Sequence, residues 1–192
     1  MNTSPTQFVI SIMSRDRIGI IAELSSAISQ MEGNIADSRQ SVLCGYFTMI
    51  LLAEFPPGVT RRDLERKLAE MDAHSETTIN AVVEPAVEGA LVSHTRIPDN
   101  AYVLTATGAD KVGLVSTVAS FCVRRRLNIL DMSTTLSEGV YVMILIVEVQ
   151  NGGSIEETRL DLRQFAKETG LNIALQHYDI FRAVNEINLP VR

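Results

Sequence analysis

Apolar and polar positions along the first half of the chain follow two different periods. Residues 7–13 form a short apolar run rich in aromatic and β-branched side chains, which predicts a buried strand. Apolar residues then recur at steps of three and four, which predicts an amphipathic helix. They are Ile18, Ile21, Leu24, Ile28 and Met31. Gly33 follows the last of these residues and predicts the end of the helix.

The rest of this half adds three strands and one helix. Strands are predicted at 34–43, 46–55 and 78–83, with Cys44 and Gly45 as a hairpin turn between the first two. The second helix is predicted after Thr60, a favourable capping residue. Its apolar face consists of Leu64, Leu68 and Met71.

The same pattern occurs a second time in the chain. A shift of 94 places residues 8–54 on residues 102–148 without a gap, and twelve aligned positions are identical. The identical pairs are Val9/Val103, Asp16/Asp110, Gly19/Gly113, Ser26/Ser120, Asn34/Asn128, Ile35/Ile129, Asp37/Asp131, Gly45/Gly139, Met49/Met143, Ile50/Ile144, Leu51/Leu145 and Glu54/Glu148. A repeat of this length indicates duplication of a small domain rather than a solenoid.

The order strand, helix, strand, strand, helix, strand predicts an α+β fold. Each half is expected to form a ferredoxin-like βαββαβ unit, in which two helices cover one face of a four-stranded antiparallel sheet. The second set of elements is predicted at 101–107, 112–126, 128–137, 140–149, 155–169 and 172–181. The predicted domains are residues 6–85 and 100–184, with a linker at 86–99 and a tail at 185–192.

Composition and charge exclude several classes of partner. Hydrophobic residues make up 46% of the chain and charged residues 21%, as in ordinary globular domains. The net charge is −6, with seven basic and twelve acidic residues in 1–93, so direct binding to nucleic acid is not expected. No apolar run is long enough to span a membrane, and residues 1–7 do not resemble a secretory signal. We therefore expect a cytoplasmic protein.

The cysteines and histidines give no indication of an enzyme or a metal site. Cys44 and Cys122 occupy unmatched positions in the two repeats, so we expect free thiols in a reducing compartment. His74, His94 and His177 lack the spacing of metal ligands, and no nucleophile or phosphate-binding motif is present. The sequence predicts a protein with no metal, no cofactor and no catalytic residues.

Two pairs of motifs indicate a family. Residues 16–20 (Asp-Arg-Ile-Gly-Ile) followed by 33–35 (Gly-Asn-Ile), and residues 110–114 (Asp-Lys-Val-Gly-Leu) followed by 127–129 (Leu-Asn-Ile), resemble the ACT domain. With residues 34–39, the tandem arrangement is most similar to the glycine cleavage system transcriptional repressor group. The resemblance implies a regulatory protein that binds a small amino acid, glycine or serine first, at an ACT–ACT interface.

The resemblance also implies partners. The protein is expected to modulate a transcriptional activator or an amino-acid enzyme through protein contact, and to form a homodimer. Two alternatives remain open: a protein-interaction module that binds no small ligand, and a separate regulatory subunit of an amino-acid enzyme.

The candidate ligand-binding residues cluster around these motifs. They are Ser14, Asp16, Gly19, Asn34, Ile35, Asp110, Gly113 and Asn128. Asp16 and Asp110 precede the first helix of each unit, where a carboxylate caps the helix or accepts from a ligand's ammonium group; capping is favoured. Gly19 and Gly113 are expected in the first helical turn, where a missing Cβ permits close approach of a ligand or close packing.

The asparagines open the second strand of each unit. The resemblance marks Asn34 and Asn128 as side chains that hydrogen-bond the amino acid, and a local turn is the alternative. The resemblance also gives Ser14 a supporting role, whereas the second unit has Gly108 at that position, which indicates unequal competence of the units. Asp37, with Arg39 nearby, and Asp131 are interpreted as a salt-bridged or solvated strand face. Residues 124–126, three arginines, are a helix end or a docking patch.

Overall fold

The computed structural model describes residues 5–86 and 97–185. The chain divides into two compact units, residues 1–94 and 95–192. Most of the predicted linker at 86–99, including His94, and all but the first residue of the predicted tail at 185–192 lie outside the described residues. The linker and tail boundaries therefore stay predictions.

The first unit has the predicted order of elements. They are β1 (Thr6–Arg15), α1 (Ile20–Ser29), β2 (Asn34–Leu43), β3 (Tyr46–Phe55), α2 (Arg61–His74) and β4 (Ile79–Pro85). The strands form one antiparallel sheet in the order β2-β3-β1-β4. The predicted strands at 34–43 and 46–55 coincide with β2 and β3.

One hydrophobic core lies between this sheet and its two helices. Alternate residues of the strands face the helices, which follows from the two-residue period of a β-strand. The largest fully buried side chains of the unit are Phe55, Ile10, Ile20, Leu24, Ile28, Leu51, Leu64 and Val83. Strand and helix residues share this single cluster, so α1 and α2 cover the same face of the sheet and the opposite face is left open.

The second unit repeats the arrangement and adds a helix. Its elements are β5 (Ala101–Ala109), α3 (Leu114–Arg124), β6 (Leu127–Ser137), β7 (Val140–Val149), α4 (Ile155–Thr169), β8 (Asn172–His177) and α5 (Tyr178–Asn185). The sheet order is β6-β7-β5-β8. The predicted ferredoxin-like α+β fold is confirmed in both units.

The predicted strand at 172–181 is wrong in its last part. β8 ends at His177, and α5 follows directly and lies against β5 and β8. The apolar residues Ile180 and Val184 are four positions apart, which is helical spacing. The strand prediction extended the alternation of 172–177 into a segment whose own period is helical.

Both units have the same two-residue turn between their second and third strands. Cys44 and Gly45 have φ of +51° and +78°, and Glu138 and Gly139 have +53° and +77°. Two consecutive residues in the left-handed region form the turn that matches the twist of a hairpin. The predicted turn at Cys44 and Gly45 is therefore confirmed.

Gly33 does not end α1 in the way the sequence suggests. The left-handed residue is Glu32, with φ of +57°, and the backbone N–H of Gly33 donates to the carbonyl of Ile28 at 3.0 Å. A Cβ at position 33 would lie 2.4 Å from a ring carbon of Phe55. Glycine is required here for close packing of the helix end on β3, not for a positive φ.

The predicted cap of α2 is confirmed. The Thr60 hydroxyl accepts from the Asp63 backbone N–H at 3.3 Å, and the Asp63 carboxylate accepts from the Thr60 backbone N–H at 3.1 Å. This reciprocal pair satisfies two donors at the start of the helix. Among the described residues, no helix is long and apolar enough to cross a membrane.

Candidate functional site

The loop between β1 and α1 begins the candidate site, and its geometry corrects one prediction. The residue that caps α1 is Gly19, with φ of +100°, and no side chain caps the helix. Asp16 lies three residues upstream of that cap, beyond the positions from which a carboxylate reaches first-turn amides. The favoured capping role of Asp16 is therefore wrong. Gly113, with φ of +86°, caps α3 in the same way, so the capping role is also wrong for Asp110.

Gly19 also lies at a different position in the helix from the one predicted. Gly19 precedes the first helical turn instead of lying within it, and its left-handed φ excludes most other residues. A Cβ there would meet no atom closer than 3.5 Å. Backbone conformation, rather than close packing, explains this glycine.

Asp16 has an anchored backbone and an unused carboxylate. Its backbone N–H donates to the carbonyl of Gly45 at 2.9 Å, which ties the loop to the β2–β3 hairpin. Its side chain is exposed and has no hydrogen bond or ion pair among the described residues. The amides that open α1 also lack intrahelical acceptors, as at every helix start. A free carboxylate thus lies in the same short loop as the positively polarised end of a helix.

A polar network holds this loop in the first unit. The Arg17 guanidinium donates to both carboxylate oxygens of Glu23, at 2.7 and 2.6 Å, and to the Ser75 hydroxyl. Its Nε donates to the Thr77 hydroxyl at 3.1 Å. Ser14, which is buried, shares a hydrogen bond with Thr77 at 2.9 Å and donates to the carbonyl of Thr78 at 2.9 Å.

The network joins the β1–α1 loop to the loop that precedes β4. Hydrogen bonding to Arg17 holds the pKa of Glu23 below its usual range, and hydrogen bonding to Glu23 raises the pKa of Arg17. Both groups are therefore charged at neutral pH. Sequence analysis missed the network, because Glu23, Ser75 and Thr77 are far apart in sequence and no periodicity relates them.

The second unit lacks this network. Gly108, Lys111 and Thr117 occupy the positions of Ser14, Arg17 and Glu23. The Thr117 and Ser116 hydroxyls instead donate to the carbonyl of Gly113, at 2.9 and 3.0 Å. The two loops are thus stabilised differently, although their backbones have the same left-handed glycine.

Asn34 lies at the opposite end of the sheet. It pairs with Glu54, which pairs with Gln7 at the start of β1, whereas Ser14 is near the end of that strand. Ser14 is seven positions after Gln7, which corresponds to roughly 23 Å along an extended strand. Asn34 is exposed and makes no side-chain hydrogen bond among the described residues.

The predicted site residues therefore form two separate groups in each unit. Ser14, Asp16 and Gly19 are together at the loop end, and Asn34 and Ile35 are together at the other end. In the second unit, Asp110 and Gly113 are at the loop end. Asn128 is at the other end, because it pairs with Glu148, which pairs with Ala101 at the start of β5. No single unit brings an aspartate and an asparagine of this set together.

The edge strands of both sheets carry exposed apolar side chains. β2 and β6 are edge strands, each with one ladder of hydrogen bonds unused within its own sheet. Val42 on β2 and Leu136 on β6 are exposed at matching repeat positions. Such edges are normally paired with another strand or covered.

The arginines at 124–126 are largely engaged in their own unit. Arg125 forms ion pairs with Asp161 and, at 3.5 Å, with Glu157. The Arg126 guanidinium donates to the carbonyl of Asn151 at 3.4 Å, and Arg124 lies 5.9 Å from the ring centre of Phe121. The helix-end interpretation accounts for these contacts.

The fold defines a class: two ferredoxin-like α+β units in one chain. A family model for the ACT domain matches residues 6–81 and 100–176. The chain belongs to the ACT domain family and carries two copies of the domain. Membership indicates a regulatory role based on small-molecule binding.

Known relatives agree with this assignment. A UPF0237 protein of Pyrobaculum aerophilum is 30% identical over 86 residues, which cover 44% of this chain and 96% of the relative. A UPF0237 protein of Clostridium perfringens is 31% identical over 86 residues, covering 44% of this chain and 97% of the relative. Each relative thus matches about one unit of the tandem.

Two solved structures share the fold over most of the chain. A protein of unknown function from Galdieria sulphuraria has a TM-score of 0.73 at 23% identity, covering 90% of this chain and 98% of the other. A protein named as a candidate glycine cleavage system transcriptional repressor has a TM-score of 0.61 at 18% identity, covering 90% and 96%. At these identities the likeness establishes the tandem fold.

Proposed function

We propose that this protein is a non-enzymatic regulator that binds a small amino acid, glycine or serine first, at an ACT–ACT interface. It then modulates a transcription factor or a metabolic enzyme by protein contact. The observation that supports this most strongly is the unused Asp16 carboxylate in the loop that leads into the free amides of α1. This pair complements a zwitterion: the amides bind the ligand's carboxylate and Asp16 accepts from its ammonium group.

The interface follows from where the asparagine lies. Asn34 is at the far end of the sheet from Asp16, so an amino acid that contacts both needs groups from two different ACT units. The exposed edges of β2 and β6 are surfaces through which units could pair, either within one chain or in a homodimer. Ile35 follows Asn34 on β2 and is half-buried against the core, which fixes the start of the strand.

The two units are proposed to differ in competence. In the first unit, the Arg17–Glu23 pair and the bonds of Ser14 hold the loop in one conformation before ligand binds, which lowers the entropic cost of binding. Ser14 then acts as a support rather than as a ligand contact, because its hydroxyl is buried and engaged. The loop of Asp110 and Gly113, with Asn128, is a second and weaker site.

Regulation requires that the ligand prefer one arrangement of units over another. A ligand shifts an equilibrium only by the difference in its affinity for the two states. An amino acid held between units binds only the paired arrangement, so its presence favours that arrangement and changes the surface offered to a partner.

Thermal unfolding against a panel of amino acids at millimolar concentration tests the proposal. A ligand at a hundred times its dissociation constant adds about 2.7 kcal/mol to the free energy of unfolding. We expect glycine or serine to raise the melting temperature of the wild type, and Asn34→Ala to abolish that shift. Gln164→Ala removes an exposed side-chain amide on α4, belongs to neither group of site residues and serves as the control. A panel without any shift would contradict amino-acid binding by this chain.

One observation favours a second candidate function. The exposed apolar residues on the β2 and β6 edges need no small ligand to bind another protein chain. Under that alternative, the protein is an interaction module or a regulatory subunit of an amino-acid enzyme. Asn34→Ala would then change partner binding no more than the control does.

A further inference from the structure

The open face of the first sheet, which faces away from α1 and α2, carries exposed apolar side chains in the part of the chain that the structure describes. Met13, Ile50 and Val82 lie on three neighbouring strands and are 48%, 51% and 54% exposed. Pairing places Ser11 of β1 directly between Ile50 and Val82, so two of these side chains share one row across the sheet. They form the floor of a shallow concavity of about 550 Å³.

Arg39 of β2 lines the same concavity and is its one charged lining residue. The strand register places Arg39 beside Ile50, in the row that continues to Ser11 and Val82. Its guanidinium has no ion pair or hydrogen bond among the described residues. Asp37, two residues earlier on the strand, accepts from the backbone N–H of Ser38 at 2.8 Å and does not pair with Arg39. This strand face was predicted to be salt-bridged or solvated, and the exposed Arg39 side chain agrees with the solvated form.

The neutral lining residues add hydrogen-bonding groups around the cation. Ser11, Ser41, Thr48 and Asn80 carry hydroxyl and amide groups, and none of them brings a charge. The concavity thus combines an apolar floor with a single unpaired guanidinium. Arginine is enriched among the residues that contribute most to binding at protein–protein interfaces.

The second unit does not keep this surface. Thr107, Ser133 and Ala174 stand at the positions of Met13, Arg39 and Val82, as the repeat and the strand pairing show. Ile144, at the position of Ile50, is the one apolar residue retained. The duplicated units have therefore diverged at these positions in charge and in side-chain size, while the cores of both remain apolar.

We infer that the open face of the first sheet is a docking surface for a protein partner that presents an apolar segment with one carboxylate side chain. The carboxylate pairs with Arg39, whose planar guanidinium binds a carboxylate through two parallel hydrogen bonds. The apolar residues of the segment cover Met13, Ile50 and Val82. Charge complementarity selects this occupant, because the residues that line the concavity include one cation and no acidic residue.

This surface shares no residue with the proposed amino-acid site. It deepens the proposed function by describing the partner's chemistry, and it stands even if no amino acid binds. A second copy presenting the same face is a less suitable occupant, because that face holds Arg39 and no carboxylate to pair with it.

Selection from a phage-displayed library of random peptides on the immobilised full chain tests the inference. We expect the selected peptides to share an aspartate or glutamate among apolar residues. Their affinity, measured by fluorescence polarisation, should fall about tenfold or more for Arg39→Gln and for Val82→Ser. Arg39→Lys should show an intermediate loss, because lysine keeps the charge but not the paired geometry. Arg62→Gln, which removes another exposed arginine of the same unit, is the matched control and should bind as the wild type does.

Three results would overturn the inference. The selection yields no peptide, or the selected peptides lack an acidic residue, or they bind Arg39→Gln as tightly as the wild type. Sedimentation equilibrium tests whether a second copy of the chain occupies the face. It does so if the wild type self-associates and Arg39→Gln or Val82→Ser abolishes that association. Circular dichroism of each variant verifies that the exposed substitutions leave the fold intact.

Discussion

Gly33→Ala is the substitution whose effect the structure defines most closely. Gly33 joins the end of α1 to β2, directly before Asn34. An added Cβ would lie 2.4 and 2.7 Å from two ring carbons of Phe55 and 2.8 Å from the Cγ2 of Ile28. Both neighbours are fully buried, and the Phe55 ring already contacts Phe8 edge to face, at 6.0 Å between ring centres. The methyl group therefore has no free space to enter.

The magnitude follows from two opposing effects. Inserting a methyl group into a well-packed core costs about 1–3 kcal/mol. Replacing glycine by alanine restricts the unfolded chain, which returns about 0.4–1 kcal/mol. No positive φ adds strain at this position. We expect the first unit to lose about 1–2 kcal/mol of unfolding free energy in Gly33→Ala.

Urea unfolding followed by circular dichroism measures this loss, and a double-mutant cycle assigns its cause. Phe55→Leu removes the ring that the new methyl group would meet. If the clash is the cause, the double variant Gly33→Ala/Phe55→Leu is more stable than the sum of the single effects by at least about 0.5 kcal/mol. A Gly33→Ala protein as stable as the wild type, or strictly additive effects, would refute the steric explanation.

Three further predictions concern single groups. Hydrogen bonds to Arg17 lower the pKa of Glu23, so the carboxylate's contribution to stability is fully present above its unfolded pKa of about 4.3 and is lost as the pH falls through the lowered folded pKa. The stability advantage of the wild type over Glu23→Gln should therefore shrink in acid, which urea unfolding at several pH values measures. An advantage independent of pH would argue against the ion pair. Burial raises the pKa of the Cys122 thiol to about 11, whereas Cys44 is exposed, so a thiol reagent at pH 8 should label only Cys44 in the folded chain, with fast labelling of both contradicting the fold. Thr60→Ala should lower the unfolding free energy by about 1 kcal/mol in the same assay, because it removes one half of the capping box of α2, and an unchanged value would mean that the cap contributes nothing.

Hydrophobic period and internal repetition were sufficient to predict most of the fold. The positions of β2, β3, β7 and α4 follow directly from strand and helix periods, and the repeat supplied the three strands with a second observation. The α5 helix was missed because it has no counterpart in the first unit, so the repeat offered no independent support.

The candidate site was predicted in its residues but not in its geometry. Sequence placed Asp16 between β1 and α1 and Asn34 at the start of β2, but it placed Gly19 inside the helix that Gly19 caps. It could not show that Gly19 caps the helix, because capping depends on where the backbone enters the left-handed region. Nor could it show how Arg17 and Ser14 support the loop, because their bonds to Thr77 join distant segments. Arg17 and Thr77, for example, are 60 positions apart in the sequence.

The proposed function depends on a ligand site assembled from two ACT units. Isothermal titration of the amino acid that gives the largest thermal shift, glycine first, into wild type, Asp16→Asn and Asn34→Ala tests this most directly. The proposal predicts saturable heat for the wild type and loss of binding in both variants, although their residues lie at opposite ends of one sheet. Unchanged affinity in either variant, or no heat for any amino acid, would contradict it.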